Sequence, residues 1–310
     1  MKHQVLILLL ALSPLHQSAK ADMAPHALFD AAKLQHRQGH LDSAEAKMEK
    51  VLETLHAEKT TGPVLAEAHF ELGKILESQA QASSIFSAPG YGKRALKHYL
   101  KAVSLEPKNS HFRKILIKFY LDAPGIAGGD IDEGLAQANI LFQQDKKHGY
   151  RALAKAYAKD GDRAKVLETY KQALVLDPND AELYYQRGHY FLSQDEFEAA
   201  VKEFQSAIAL PKLDNHQIAI QLQALYYIGR TSSISGQKLE RGIQAFLQYL
   251  EQYQPIEGET VPDPHWARFR MAQLMTDNGQ SQDAKAVYLS MLDDPELDDK
   301  ELVTRIKDQL

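Results

Sequence analysis

The central part of the sequence repeats itself with a period of 34 residues. The stretch YRALAKAYAKDGDRAKVLETYKQALVLDPND, from Tyr150, aligns with YYQRGHYFLSQDEFEAAVKEFQSAIALPKLD, from Tyr184. Matching residues recur at this spacing as Tyr157 and Phe191, Tyr170 and Phe204, Ala173 and Ala207, and Leu176 and Leu210. A fixed period of this length predicts a stack of small structural units, each of which buries its apolar face against its neighbours.

Each copy has the pattern of two helices joined by a short turn. Small residues, Ala154 or Gly188 on the first helix and Ala200 on the second, allow the two helices to approach closely. The space around the crossing is filled by aromatic residues, namely Tyr157, Phe191, Tyr170 and Phe204. Pro178 ends the second helix of the earlier copy, because proline cannot continue a helix.

Paired helices at this period resemble the tetratricopeptide repeat family. The resemblance implies an all-α fold, a right-handed α-α superhelical solenoid of helix pairs, in which residues 299–310 form a capping helix over the last repeat. The same frame extends over a single solenoid of residues 22–310. It predicts seven repeats, approximately over residues 25–58, 66–109, 110–146, 147–180, 181–214, 222–255 and 265–298.

The N-terminal stretch MKHQVLILLLALSPLHQSAKA has the features of a secretory signal peptide. Lys2 precedes an apolar run from Val5 to Leu12, and Ala19 and Ala21 stand where small residues precede a cleavage site. The run is shorter than the about 20 residues that a membrane helix needs. We therefore expect a cleaved signal peptide over residues 1–21, no stable membrane insertion and a periplasmic location, with another secretory compartment as the open alternative.

Composition and spacing argue against several kinds of chemistry. The chain has no cysteine, which excludes disulfides and thiolate metal sites, and its formal net charge of −5 disfavours a nucleic-acid partner. His36 and His40 are four residues apart, but Gly39 lies between them and no further metal ligands are evident nearby. No nucleophile, base and orienting group can be placed together. We therefore expect no enzymatic activity, no cofactor and no metal.

The repeat frame predicts a basic and aromatic groove along the first helices. The resemblance implies that the fifth and ninth positions of each first helix line this groove. The ninth positions are Lys33, Lys74, Lys118, Lys155, His189, Arg230 and Gln273. The fifth positions are Phe29, Phe70, Lys114, Arg151, Tyr185, Tyr226 and Phe269. Lys159 adds to the positive charge in the middle of the chain, although lysine is also common on ordinary solvated helix faces.

Two stretches rich in glycine and proline lie at the turn between the two helices of a repeat. They are SAPGYG, at Ser87 to Gly92, and DAPGIAGGD, at Asp122 to Asp130. We expect both to lengthen that turn as extended loops, because glycine and proline are the usual residues of loops. As an alternative, the two loops would present Phe86, Tyr91 and Ile126 to a partner.

These features favour an exported scaffold, adaptor or assembly factor. Its groove would hold an acidic or aromatic-containing segment of another protein, because cations fix acidic groups and aromatic rings supply contact area. The alternative is a periplasmic accessory component that binds a small anionic ligand for a membrane transport or enzyme complex. The same cations would serve that function, and a ligand that binds only the folded state would raise the melting temperature.

Overall fold

The chain is almost entirely helical in the computed structural model, which describes residues 25–310. The predicted signal peptide lies outside the described residues. Residues 25–310 form fifteen α-helices and no β-strand, which confirms the predicted all-α fold. Among these helices, none combines the length and the apolar character that crossing a bilayer requires.

The first compact unit, the N-terminal unit, contains the described residues up to Phe119 together with Ala123–Gly129. Its helices are α1 (Pro25–Arg37), α2 (Leu41–Ala57), α3 (Pro63–Ala82), α4 (Ala88–Leu105) and α5 (Ser110–Asp122), and a 3-10 turn (Gly125–Ala127) follows them. The last three residues of α5 belong to the second unit. Helices α1 to α4 pack in chain order, each against the next, and the 3-10 turn packs on α4.

The second compact unit, the C-terminal unit, contains Tyr120–Asp122 and Asp130–Leu310. Its helices are α6 (Ile131–Gln144), α7 (Lys146–Asp160), α8 (Arg163–Leu176), α9 (Ala181–Ser193), α10 (Phe197–Ile208), α11 (Asn215–Ser235), α12 (Leu239–Gln252), α13 (Pro264–Asp277), α14 (Ser281–Leu292) and α15 (Lys300–Lys307). Each helix packs against the next, and α11 also packs against α9 and α13. The alternate helices α9, α11 and α13 therefore form one layer of this unit.

Carboxylate and amide side chains fix where many helices begin. Asp180, for example, accepts a hydrogen bond from the backbone N–H of Glu182 at the start of α9. Similar caps come from Asn109, Asp130, Asp145, Asp162, Asp214, Asp263 and Asp299. Such a cap contributes about 1 kcal/mol. The cap at Asp214 starts α11 at Asn215, seven residues before the sixth predicted repeat begins at 222.

Glycine allows the close helix crossings that the sequence predicts. A Cβ atom on Gly188 of α9 would lie 2.6 Å from the ring of Phe204, which is fully buried on α10. The same pairing of glycine and aromatic ring occurs at Gly73 with Tyr99 and at Gly229 with Phe246. Because real Cβ atoms do not approach so closely, a larger residue at these positions would push the two helices of the pair apart.

Helix α15 covers the last helix pair. Leu302 and Ile306 are fully buried and pack in one cluster with Phe269 and Tyr288. Leu310, the last residue of the predicted capping helix, lies beyond the end of α15 and is 43% exposed. Two apolar residues are therefore enough to close this end of the C-terminal unit.

The two glycine- and proline-rich stretches differ in structure. The prediction that SAPGYG is an extended loop is wrong, because α4 begins at Ala88 within it. Pro89 lies in the first turn of α4, where its missing N–H removes no helical hydrogen bond. The second stretch does separate α5 from α6, and a Cβ on its Gly129 would lie 1.8 Å from the carbonyl oxygen of Ala123. Only glycine fits this turn.

Candidate functional site

The alternate helices α7, α9, α11 and α13 of the C-terminal unit carry most of the predicted groove residues of that unit. Together with two residues that the sequence frame missed, they form a surface that we call the first-helix face. It consists of Arg151, Lys155, Lys159, Tyr185, His189, Tyr227, Arg230 and Arg270. Ion pairs join α7 to the start of α9, and ring contacts join α9 to α11.

Three rings form the middle of the first-helix face. The ring centroid of His189 lies 4.5 Å from that of Tyr185 and 4.1 Å from that of Tyr227. Burial lowers the pKa of His189 to about 4, so its imidazole is uncharged at neutral pH. The sequence frame treated His189 as a residue able to carry positive charge, and the structure corrects this. This part of the face is aromatic and neutral.

The fifth position of the frame is displaced by one residue on α11 and α13, whereas the ninth positions Arg230 and Gln273 remain partly exposed. Tyr226 is only 7% exposed and packs in the core, and its hydroxyl accepts a hydrogen bond from Nε of Arg270 at 3.0 Å. Its neighbour Tyr227 takes the place on the face. The fifth-position residues Phe70 and Phe269 are buried as well. Placing these three rings in the groove was wrong, because they fill the space around the helix crossings.

Two lysines of α7 share one carboxylate. Nζ of Lys155 lies 2.7 Å from Oδ2 of Asp122, and Nζ of Lys159 lies 3.3 Å from Oδ1. Burial opposes the ionisation of Asp122, but the hydrogen bonds and charges of both lysines outweigh it and hold its pKa below the usual range. The lysine side chains are 43% and 46% exposed, so solvent screens these ion pairs. Such pairs contribute about 0–1 kcal/mol.

Arg151 has a structural position in the same helix. Its side chain is 14% exposed, and its guanidinium contacts Asp180 and Glu182 at the start of α9. Burial opposes ionisation of Asp180, yet the charges and hydrogen bonds of Arg151 and Lys147 hold its pKa below the usual range. This network joins α7 to α9.

The predicted groove residues of the N-terminal unit lie on α1, α3 and α5. Nζ of Lys33 lies 5.5 Å from the ring centroid of Phe29. Nζ of Lys74 lies 3.0 Å from Glu71, and Nζ of Lys118 lies 3.6 Å from Glu77. Lys114 is partly buried on α5.

The three predicted loop contacts are in different environments. Phe86 is 89% exposed in the connection between α3 and α4, and Ile126 is 68% exposed in the 3-10 turn. Tyr91 lies in the first turn of α4, where it is partly buried and the guanidinium carbon of Arg94 is 6.0 Å from its ring centroid.

His36 and His40 hydrogen-bond to different partners. Nε2 of His36 lies 2.8 Å from the hydroxyl of Ser78 on α3, and Nδ1 of His40 lies 3.2 Å from the amide oxygen of Gln35. Within residues 25–310, no three histidine or carboxylate side chains converge as metal ligands would.

A cavity of about 810 Å³ in the N-terminal unit was not predicted. It lies between α2, α3 and α4 and is lined by Leu52, His56, His69, Lys93, Leu96, Lys97, His98, Leu100, Lys101 and Ser104. The Nδ1 atoms of His69 and His98 are 2.9 Å apart, so one ring donates a hydrogen bond to the other. Burial, assisted by neighbouring cations, lowers the pKa of each to about 4. The lysines, four residues apart on α4, were the only signal in the sequence.

Lowering the pH from 7 to 5 is expected to reduce the free energy of unfolding. The unfolded chain binds protons at His69 and His98 near their ordinary pKa of 6.5, whereas the folded chain does so only near 4. Their contribution to stability is therefore complete above pH 6.5 and is lost as the pH falls toward 4. Urea titrations at several pH values should show that the free energy of unfolding depends less steeply on pH in His98→Phe than in the native chain. His26→Gln, a change at an 89% exposed ring, is the control, and an equal slope in both variants would contradict the assignment.

Comparison with known proteins agrees with this architecture. Residues 154–195 match a family model described as TPR repeat, and residues 181–212 match one described as tetratricopeptide repeat. A tetratricopeptide repeat protein from Parabacteroides merdae is 13% identical with a TM-score of 0.50, over 92% of this chain and 98% of that one. Yeast Tom70 is 14% identical with a TM-score of 0.50, over 86% of this chain and 60% of that one. No curated protein matches in sequence.

The repeat models, the helix pairs and the solved structures lead to one assignment. Residues 154–212 contain tetratricopeptide repeats, and the chain has the helical fold of tetratricopeptide repeat proteins. Proteins of this class generally mediate protein–protein interactions.

Proposed function

We propose that this chain is an exported scaffold, adaptor or assembly factor whose first-helix face binds an acidic segment of a partner protein. The observation that carries the proposal is the pair Lys155 and Lys159 on α7, which share one exposed carboxylate, together with the ring contacts of α9 and α11. The proposal includes no catalytic step, because tetratricopeptide repeats typically serve as non-catalytic scaffolds.

The ion pairs with Asp122 position the lysines without occupying them permanently. Because each pair is solvent-screened and contributes about 0–1 kcal/mol, a carboxylate of a partner can replace Asp122 at little cost. Arg151 is different, since its carboxylate partners are mostly buried. Binding of an acidic segment therefore falls to Lys155 and Lys159, with Arg230 as a further cation on α11.

The aromatic part of the first-helix face supports the same proposal. Tyr185, His189 and Tyr227 are partly exposed and contact one another, so they form a rigid apolar surface on α9 and α11. Rigid rings supply contact area at low entropic cost, and cations fix the register of acidic residues. An acidic segment that also carries aromatic or aliphatic side chains fits this surface best.

Reversing the two lysines should abolish capture of the partner. The bait is the chain expressed with its own N-terminus, crosslinked in cells and purified, and its mature form should begin at Asp22 if the export proposal holds. The double variant Lys155→Glu, Lys159→Glu is compared with Lys165→Glu, Lys171→Glu on α8, where the lysines are 57% and 74% exposed. A protein captured by the native and α8-variant chains but lost with the α7 variant supports the proposal. Equal capture by all three would contradict it.

A further inference from the structure

The cavity between α2, α3 and α4 of the N-terminal unit has the composition of a ligand site. We propose that it binds a small organic anion with an apolar body, the class of compound that medium-chain carboxylates represent. This inference is independent of the first-helix face, because every residue that lines the cavity belongs to α2, α3 or α4. It adds a small-molecule site to a protein proposed as a protein-binding scaffold.

The walls of the cavity can hold an apolar body. Leu52 of α2 and Leu96 and Leu100 of α4 line it, and Leu100 remains 41% exposed at the surface. A volume of about 810 Å³ falls in the range of about 300–1,000 Å³ that is usual for small-molecule sites. Side chains of three helices line this open cavity, so a small ligand can enter it directly from solvent.

The edge of the cavity carries cations that have no acidic partner. Lys93, Lys97 and Lys101 are exposed and four residues apart on α4, so they form one row about 12 Å long. Within residues 25–310, no ion pair joins any of the three to a carboxylate, in contrast to Lys155 and Lys159. Their charge is therefore available to an anion.

The histidines add hydrogen-bonding capacity to the interior of the cavity. His69 and His98 share a hydrogen bond, and Nε2 of His69 is buried without a hydrogen-bond partner in the described part of the chain. His56 completes the lining, with its ring centroid 5.8 Å from that of His69. The three rings do not form a metal site within residues 25–310. They add polar atoms to a lining that is otherwise largely apolar.

Dodecanoate is the probe for the first experiment, and titration calorimetry of the purified protein is the measurement. Dodecyl phosphate tests whether the head group must be a carboxylate. Dodecyl maltoside and dodecylammonium have the same chain with a neutral and a cationic head. All are used below the concentration at which they form micelles. We expect the two anions to bind at one site and the neutral and cationic compounds to bind at least about tenfold more weakly, because three lysines face the head group.

Variants locate the binding site. Lys97→Gln with Lys101→Gln should weaken dodecanoate binding about tenfold, whereas Lys108→Gln, an exposed lysine of the same unit that does not line the cavity, should not change it. All these positions are exposed, so the variants should keep the native melting temperature. In histidine NMR spectra, dodecanoate should shift the ring signals of His69 and His98 and leave those of His189 unchanged.

Three outcomes would overturn the proposal. The first is that neither dodecanoate nor dodecyl phosphate binds. The second is binding that is equal for anionic, neutral and cationic chains or that survives the double lysine variant. The third is binding of an acidic peptide at this cavity with no binding of dodecanoate, since that would make the surface a protein-docking site.

Discussion

Phe204→Ala should lower the free energy of unfolding of the C-terminal unit by about 3–5 kcal/mol. The ring of Phe204 is fully buried against Gly188 and packs with Ala200 and Ala207, so truncation leaves a cavity at the centre of a helix pair. Because repeat stacks need not unfold in one step, hydrogen exchange of α9 and α10 should be followed beside urea titration. Protection of both helices should fall together.

Phe86→Ala is the matched control for this prediction. It removes the same atoms from a side chain that is 89% exposed, so the free energy of unfolding should change by less than about 0.5 kcal/mol. A similar loss of stability in the two variants would show that the helix crossing is not packed as described.

Arg151→Ala should destabilise the C-terminal unit by about 3 kcal/mol. The change removes the main partner of Asp180, a carboxylate that is 6% exposed, and leaves Lys147 as its remaining cation. It also removes the contact between α7 and Glu182 at the start of α9. Thermal unfolding and hydrogen exchange of α7 and α9 measure the effect.

Arg163→Ala provides the comparison with an exposed ion pair. Arg163 binds Glu196, and the side chains are 48% and 37% exposed. Solvent screens such a pair, so its loss should cost much less stability than the loss of Arg151. If Arg151→Ala cost as little as Arg163→Ala, the description of Arg151 as a structural residue would be wrong.

The fold could be predicted because its determinants are periodic. Glycine or alanine at the crossing and a facing aromatic ring recur from one helix pair to the next, with a spacing of 34 residues between Tyr170 and Phe204, so one well-formed pair such as Gly188 and Phe204 establishes the frame for the others. Helix starts were less predictable. Ser87 to Gly92 has the composition of a loop, yet proline and glycine are tolerated in the first turn of α4.

The candidate sites could be predicted only in part. The sequence places Lys155 and Lys159 on one helix, but it does not show that both contact Asp122, more than 30 residues earlier. An aromatic residue near a helix crossing can pack inward or face solvent. The sequence frame placed Tyr226 on the first-helix face, but its neighbour Tyr227 lies there instead. The cavity combines side chains of three helices, and no single segment of the sequence shows that combination.

Site-specific photo-crosslinking in cells tests directly whether a partner protein binds the first-helix face. A photoreactive amino acid is placed at Lys159 or Arg230 on the first-helix face, and at Lys171 or Lys202 on the second helices α8 and α10. We expect one partner protein to be crosslinked from both first-helix positions and from neither second-helix position. Crosslinking of that protein from Lys171 or Lys202 instead, with none from Lys159 and Arg230, would contradict it.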